Sequence, residues 1–305
     1  MKERTTPTPE QVKSYLRDRR NWGRWGDKGA AGAINLITPQ KRLDALKLAR
    51  SGRAVSLSKP LPVKPSPQNP RPVQHYMKKT ELSGGVGAAM DYVGIFPHGH
   101  AVTHIDALCH VWDGDGMWDG REPAKEITYD GARYGSVDAW SEGIITRGVL
   151  LDVPKHRGEP YVTVDSPVHG WELEDIAKEQ GVSVGPGDAA VVFSGSNAYI
   201  ADHPDAWSEG SVNPGLHGSC LPFIRDNDVS VLGWDMLDAS TSPSEVSMPM
   251  HGVLRSYGVA ILDNAQLEPL AEACASEGTY EFLLVITPLV LVGGTGSPVN
   301  PIAMF

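Results

Sequence analysis

The sequence has few cysteines, no basic run and no long apolar segment, and each lack excludes a class of protein. The three cysteines, Cys109, Cys220 and Cys274, are too few and too scattered for a disulfide framework. The net charge of −10 argues against a broad nucleic-acid or anionic-membrane surface, since those partners select lysine and arginine. The longest apolar run, 282–292, contains a proline and is too short to span a bilayer. The first residues lack the apolar core of a secretory signal, so we expect a cytoplasmic protein.

The composition and patterning that are present predict a single α/β domain covering 1–305. The content of 41% apolar and 21% charged residues is that of a globular protein with a sizeable core. Capping residues and apolar periodicity predict helices at 38–50, 171–180 and near 267–275. Short β-branched runs predict strands at 149–153, 189–194, 229–234, 259–262 and 282–292. We expect mixed β-sheets with flanking helices, an N-terminal arm over about 1–37 and a proline-rich loop at 60–72.

The segment FPHGHAVTHIDALCHVWDGDG holds four of the ten histidines. His100, His104, Asp106 and His110 form the spacing H-x3-H-x-D-x3-H, and imidazole and carboxylate are ligands that Zn²⁺, Mn²⁺ and Fe²⁺ accept. On a helix, His100 would pair with His104, and Asp106 with His110, on different faces. In extended chain, His104 and Asp106 would point the same way. Spacing alone leaves both geometries open. His98 does not fit this spacing and is interpreted as an ordinary hydrogen-bonded residue.

Four stretches of the chain carry a resemblance to a known family. THIDALCHVWDGDGMWDG resembles the central motif of the cyclase family of metal-dependent hydrolases, which includes bacterial kynurenine formamidases and isatin hydrolases. NWGRWGDKGAAGAINLITPQ is similar to the N-terminal signature of its longer members, and PMHGVLRSYGVAILDNAQLEPLAEAC to the later ligand segment. GGTGSPVNPIAMF is similar to the C-terminal end. The resemblance implies the swivelling β/β/α architecture of that family and a homodimer or homotetramer.

The resemblance also assigns roles to the central motif. It implies that His100, His104 and Asp106 bind a divalent metal, Zn or Mn, and that His110 is the catalytic acid/base. A bound divalent ion lowers the pKa of its water toward neutrality and polarises a carbonyl group. His110 would then act as a proton shuttle, because the pKa of imidazole lies near neutrality.

A second ion is also implied, by two residues far along the chain. In two-metal members the carboxylate at the position of Asp106 bridges to an ion that a histidine and a glutamate also hold. His251 matches that histidine, whereas the glutamate position is occupied by Asp263. Because aspartate is shorter by one methylene, we favour one ion over two. Without the resemblance, His251 would simply open a helix, and Asp263 would be a turn residue after a strand.

The expected activity is hydrolysis of a non-peptide C–N bond in a small molecule, by attack of a metal-bound water. The substrate would be a cyclic amide, an imide or an N-formyl amide, with a lactone as the nearest variant. Trp22, Trp25 and Phe96 flank the matched segments and are candidate substrate-binding residues. The two tryptophans, in a glycine-rich arm, are expected to line the pocket from within the chain or across a subunit interface. Cys109 would face away from His110 and serve as a packing residue.

Two other functions fit parts of the same pattern. The facial triad of a non-haem Fe(II) oxygenase, two histidines and one carboxylate, is matched by His104, Asp106 and His251. In that case His100 and His110 would crowd the iron or have no role. A purely structural metal site is the other alternative. Structural zinc sites prefer closed, cysteine-rich sets, and here the three cysteines are dispersed.

Overall fold

The structure, a computed structural model, describes residues 4–208, 211–240 and 246–305. Its α-helices are α1 Pro9–Asp18, α2 Pro39–Leu46, α3 Pro123–Glu126, α4 Val153–Arg157, α5 Gly170–Glu179, α6 Ser196–Asp202, α7 Leu221–Asp226, α8 Gly252–Tyr257 and α9 Glu268–Glu277. Its strands are β1 Ala54–Ser56, β2 Gln74–Glu81, β3 Gly87–Gly94, β4 His104–Asp106, β5 Ile127–Thr128, β6 Gly131–Ala132, β7 Ile144–Asp152, β8 Ala189–Phe193, β9 Val231–Trp234, β10 Ala260–Asp263, β11 Glu281–Ile286, β12 Gly296–Pro298 and β13 Ile302–Met304.

A nine-stranded mixed sheet is the centre of the fold. Its strand order is β1-β13-β11-β7-β8-β9-β10-β4-β12. Strands β7 to β10 run parallel, whereas the pairs on either side of them are antiparallel. Strands β8, β9 and β10 are buried along their whole length, which explains why each reads as a continuous apolar run. The predicted α/β class, with a mixed sheet and flanking helices, is confirmed.

Two predicted elements end earlier than expected. The strand predicted over 282–292 is β11, which stops at Ile286, because Pro288 cannot donate to a strand ladder. The large apolar residues at 289–292 are exposed instead. The helix predicted over 38–50 begins as expected, with Thr38 accepting from Lys41 N at 3.1 Å, but α2 ends at Leu46. The next residues tighten into i→i−3 hydrogen bonds, so the α-helix is not continued.

The N-terminal region contains structure that the sequence analysis did not predict. Helix α1 begins with a capping box, in which Thr8 accepts from Gln11 N and the Gln11 side chain accepts from Thr8 N. Val12 and Leu16 bury its apolar face against the core. A chain of 3₁₀ turns then covers Gly26–Leu36. The arm expected over about 1–37 thus packs on the body of the protein through its described residues.

The sheet brings distant parts of the sequence together at the carboxyl ends of its parallel strands. β10 ends at Asp263, and antiparallel β4 runs alongside it with His104 opposite Asp263. In doubly wound sheets, ligands bind outside the carboxyl ends of the strands. This edge is therefore the expected position of a site.

Two peripheral segments complete the fold. The proline-rich segment 60–72 forms no helix or strand and closes on itself through a hydrogen bond from Val73 N to Pro62 O at 3.0 Å. The hairpin β2–β3 is a separate two-stranded sheet whose residues are almost all exposed on both faces. Within the described ranges, no helix has the length and apolar content needed to cross a membrane.

Candidate metal centre

Strand β4 directs His104 and Asp106 into the site. Residues two apart on a strand point to the same side, so the extended alternative is the geometry observed. His104 Nε2 lies 3.2 Å from Asp106 Oδ1. His104 Nδ1 donates to Val102 O at 2.8 Å. That bond fixes the ring and leaves Nε2 as the atom available to a cation.

Asp263 reaches the same place from β10. Its Oδ2 lies 3.7 Å from His104 Nε2, as the register of β4 with β10 dictates. Its Oδ1 accepts hydrogen bonds from Trp234 Nε1 and from Asn264 N, both at 2.7 Å. One oxygen is therefore held by the protein, and the other faces the histidine.

His251 enters from the N-cap position of α8, immediately before Gly252. Its Nε2 lies 3.9 Å from Asp106 Oδ2. Its Nδ1 donates to the carboxylate of Asp238, which also accepts from Met250 N. A histidine whose second nitrogen donates to a carboxylate is the usual form of an oriented metal ligand. Asp238 is a part of this site that the sequence analysis missed.

His98 and His110 form a stacked pair beside Asp106. Their ring centroids are 3.9 Å apart and the planes differ by 3°. His98 Nδ1 donates to Asp106 Oδ1 at 2.8 Å, and His98 Nε2 lies 2.9 Å from Thr295 Oγ1. His110 Nε2 is 3.9 Å from Asp106 Oδ1. His98, interpreted from spacing as outside the pattern, thus contacts the central carboxylate directly.

Two buried polar atoms of the site have no hydrogen-bond partner among the described residues. They are His100 Nδ1 and Asp106 Oδ2. An unsatisfied buried carboxylate oxygen is costly, and a bound cation is one partner that would satisfy it. Ligand atoms within 4.8 Å of one another occur in the groups His98, Asp106, His110 and His104, Asp106, Asp263. This nitrogen and oxygen set, around a carboxylate that has one unpaired oxygen, fits a divalent cation.

The electrostatics of the site also favour a positive charge. Burial opposes the charged form of His104, yet the neighbouring Asp106 carboxylate outweighs it and raises the pKa of His104 to about 9. The same competition between burial and the Asp238 carboxylate raises the pKa of His251 to about 9. Burial raises the pKa of Asp263. The carboxylates together therefore stabilise cations at the imidazole Nε2 atoms.

The remaining two histidines behave differently. Burial lowers the pKa of His110 to about 4, more than the nearby Asp106 restores. Burial likewise lowers the pKa of His100. Both imidazoles are therefore neutral near pH 7. A neutral imidazole can accept a proton or bind a metal.

The N-terminal arm holds helix α8, which His251 directly precedes. The last carbonyls of α8 and the glycine after it would otherwise lack partners, as at any helix end. Each accepts a hydrogen bond from the arm: Arg255 O from Trp22 Nε1 at 2.7 Å, Ser256 O from Asn21 N at 2.9 Å, Tyr257 O from Asn21 Nδ2 at 3.0 Å and Gly258 O from Ala33 N at 2.7 Å. The arm is therefore a C-terminal cap for α8.

The aromatic candidates take different places. Phe96 lines a cavity of about 400 Å³ whose wall also includes His98, His100 and Trp207. Trp22 and Trp25 do not line this cavity within the described chain. Both pack against the core instead, where they lie under the guanidinium groups of nearby arginines.

Cys109 is buried, and its Sγ lies 3.9 Å from Gly294 O. Burial raises the pKa of its thiol to about 12, so the reactive thiolate is scarce at neutral pH. The expectation that Cys109 is a packing residue agrees with this environment.

Comparison with known proteins agrees with the fold. A family model described as cyclase matches residues 55–240. A crystal structure of a novel cyclase is 27% identical, with a TM-score of 0.83, over 94% of this chain and 99% of that one. An isatin hydrolase bound to the product analogue thioisatinate is 19% identical, with a TM-score of 0.59, over 87% and 98% of the two chains. Isatin hydrolase A from Ralstonia solanacearum is 18% identical, with a TM-score of 0.57, over 87% and 97%.

No protein with a curated description matches the sequence. The expected cyclase-like architecture is confirmed by the novel cyclase, whose whole length is covered. The family match extends over more than half of the chain and includes the central His/Asp motif. The chain belongs to the cyclase family.

Proposed function

We propose that this protein is a metal-dependent hydrolase that opens a non-peptide C–N bond in a small cyclic amide, imide or N-formyl amide. A lactone is the nearest alternative substrate. The observation that carries the proposal is the convergence of His104, His251 and Asp263 on the buried carboxylate of Asp106, one oxygen of which has no hydrogen bond among the described residues. The relation to isatin hydrolases, which share the fold, supports the same class of bond.

The cation would be Zn²⁺ or Mn²⁺, held by His100, His104 and Asp106. His251 and Asp263 would complete this site or hold a second ion. When bound, the metal supplies an acidified water and polarises the scissile carbonyl. The shorter side chain of Asp263 favours a single ion. Its Oδ1 is already engaged by Trp234 and Asn264, so only Oδ2 remains for coordination.

His110 is the proposed proton shuttle. Its ring is held by stacking on His98, and its Nε2 lies 3.9 Å from Asp106 Oδ1, whereas His251 Nε2 lies 3.9 Å from Asp106 Oδ2. The neutral imidazole accepts a proton from the attacking water and returns it to the departing nitrogen or oxygen. His98 donates to Asp106 and thereby orients both the carboxylate and the stacked ring. Phe96, at the wall of the adjoining cavity, would contact the substrate.

The test begins with elemental analysis of the purified protein. A screen of imides, lactams, formamides and lactones with the identified metal follows. We expect His110→Asn to retain the metal while kcat falls by about 100-fold or more. Loss of metal and activity together would contradict the shuttle role. Turnover that persists without O₂ would exclude the Fe(II) oxygenase, and chelation that unfolds the protein would indicate a structural site.

We further propose that the protein is a homodimer or homotetramer. An isolated hairpin is marginally stable in water, and β2–β3 exposes Tyr76, Met77, Tyr92 and other apolar side chains on both faces. A second copy would cover it. Light scattering after size exclusion tests this: replacing the stacked Tyr76 and Tyr92 by serine should shift the mass toward the monomer. Replacement of the fully exposed Tyr129 by serine should leave the mass unchanged.

That Trp22 and Trp25 contact the substrate stays a prediction.

A further inference from the structure

Lys59 lies beside the metal centre, and the mechanism above does not use it. The chain passes from β1 to the end of β10, where Gln266 N donates to Leu57 O at 2.8 Å. Lys59 N donates to Thr103 Oγ1 at 3.0 Å, and that hydroxyl donates to Asn264 O at 2.7 Å. Thr103 precedes His104, and Asn264 follows Asp263. The backbone of Lys59 is thus joined through Thr103 to the two residues that adjoin His104 and Asp263 in the sequence.

The carboxylates around the Lys59 side chain are engaged elsewhere. Asp235 accepts from the backbone N–H groups of Ser194, Gly195 and Ser196 at 2.8–2.9 Å. Glu268 accepts from the backbone and side chain of Asn197.

The third neighbouring carboxylate is Asp263, which faces the histidines. All three interact with the Lys59 ammonium electrostatically, yet none forms an ion pair with it within the described chain. The three donors of that ammonium are available.

Lys59 is closely surrounded by protein atoms but keeps some contact with solvent. The residue is partly exposed, and burial is the main cause that lowers the pKa of its ammonium group. A desolvated lysine without a partner loses its hydrogen bonds to water, and a ligand oxygen can restore them. Lysines of this kind concentrate at functional sites.

We propose that Lys59 is a substrate-binding residue that donates to a second carbonyl oxygen of the substrate, beside the scissile bond. This rests on the proposed hydrolase function and deepens it. The lysine would select cyclic imides and related dicarbonyl compounds over simple lactams, which have only the carbonyl under attack. A hydrogen bond from a charged donor strengthens binding of the acceptor by about 10- to 100-fold.

The test compares phthalimide with isoindolinone, which differ by one carbonyl oxygen. Lys59→Met keeps the length of the side chain and removes the charge, and Lys59→Arg keeps a donor. We expect Lys59→Met to lower kcat/KM for phthalimide by about 10- to 100-fold and to leave the value for isoindolinone nearly unchanged. Lys59→Arg should recover part of the preference. Lys64→Met, an exposed lysine in the same loop, is the matched control and should behave as wild type.

A binding measurement separates this idea from the proposed activity. Calorimetric titration with phthalamate, the ring-opened product, should show a Kd at least 10-fold weaker in Lys59→Met, with equal metal content. Equal binding by the variant, or no binding by the wild type, would overturn the role of Lys59. Metal binding with hydrolysis of no compound in the screen would instead contradict the hydrolase function.

Discussion

The cap that the N-terminal arm places on α8 leads to a prediction about metal binding. Asn21→Ala removes the donor to Tyr257 O, and Trp22→Phe removes the donor to Arg255 O. Helix α8 has only six residues, so its position depends on contacts at its ends rather than on its own hydrogen bonds. His251 lies immediately before it. A shift of α8 therefore moves His251 Nε2 relative to Asp106.

The magnitude follows from burial. Asn21 is 5% exposed, so the freed carbonyl of Tyr257 stays away from water in the variant. An unsatisfied buried acceptor costs about 1–3 kcal/mol, and we expect Asn21→Ala to lower the free energy of unfolding by about 2 kcal/mol. Trp22→Phe loses the same kind of bond and also leaves a void, so about 2–4 kcal/mol is expected.

The assay pairs urea unfolding with calorimetric titration of Zn²⁺ and Mn²⁺. Loss of the contacts that orient a ligand typically weakens metal binding by about 10- to 100-fold, and about 10-fold is expected for each variant. Trp112→Phe, at a tryptophan that is 54% exposed, is the control for stability. Variants that lose stability as expected but bind metal like the wild type would refute the link between the arm and His251.

Three further predictions concern single residues. Asp238→Ala should weaken metal binding by about 10- to 100-fold in the same titration, because His251 loses the carboxylate that orients it; an unchanged Kd would contradict this. Gly32→Ala should lower the unfolding free energy by about 3 kcal/mol or more, since the new Cβ would lie 2.4 Å from a backbone oxygen. Gly52→Ala, also at positive φ but in open space, should cost only about 1 kcal/mol. Burial lowers the pKa of His169 from 6.5 to about 4, so the unfolded chain binds a proton first. Because the His169 ring is partly exposed, solvent screening reduces the effect, and the unfolding free energy should fall by about 1 kcal/mol between pH 6.5 and pH 4; urea titrations of His169→Gln should show a shallower fall.

The part of the site that could be predicted from the sequence is the part that is local in sequence. His104 and Asp106 are two residues apart, so any extended conformation brings them together. His251 and Asp263 came only from the resemblance. Their positions depend on the pairing of β10 with β4 and on the start of α8, which are long-range features that residue spacing does not encode.

Several contributors to the site could not be predicted because they are isolated in the sequence. Asp238 and Lys59 belong to no motif, and Thr295, although it lies in the C-terminal segment that carries the resemblance, has no spacing that marks it; all three are placed near the site only by the fold. His98 was excluded because its spacing does not match, but Gly99, at φ 129°, turns the chain so that the ring returns to Asp106. Helix α1 is different, since its capping box from Thr8 to Gln11 was visible in the sequence.

The two carboxylate oxygens of Asp106 have different surroundings, and the difference indicates which oxygen is available to a cation. Oδ1 receives His98 at 2.8 Å and faces His104 and His110, so its position is fixed by the protein. Oδ2 has no hydrogen bond among the described residues and faces His251 at 3.9 Å. A proton or a cation must compensate that buried oxygen. Burial opposes the charged form of Asp106, but the surrounding imidazoles, His104 above all, outweigh burial and hold the pKa of this carboxyl well below its usual range, so a proton does not remain there near neutral pH. The compensation therefore falls to a cation, and Asp106 with the neighbouring histidines would hold a divalent metal ion in that role.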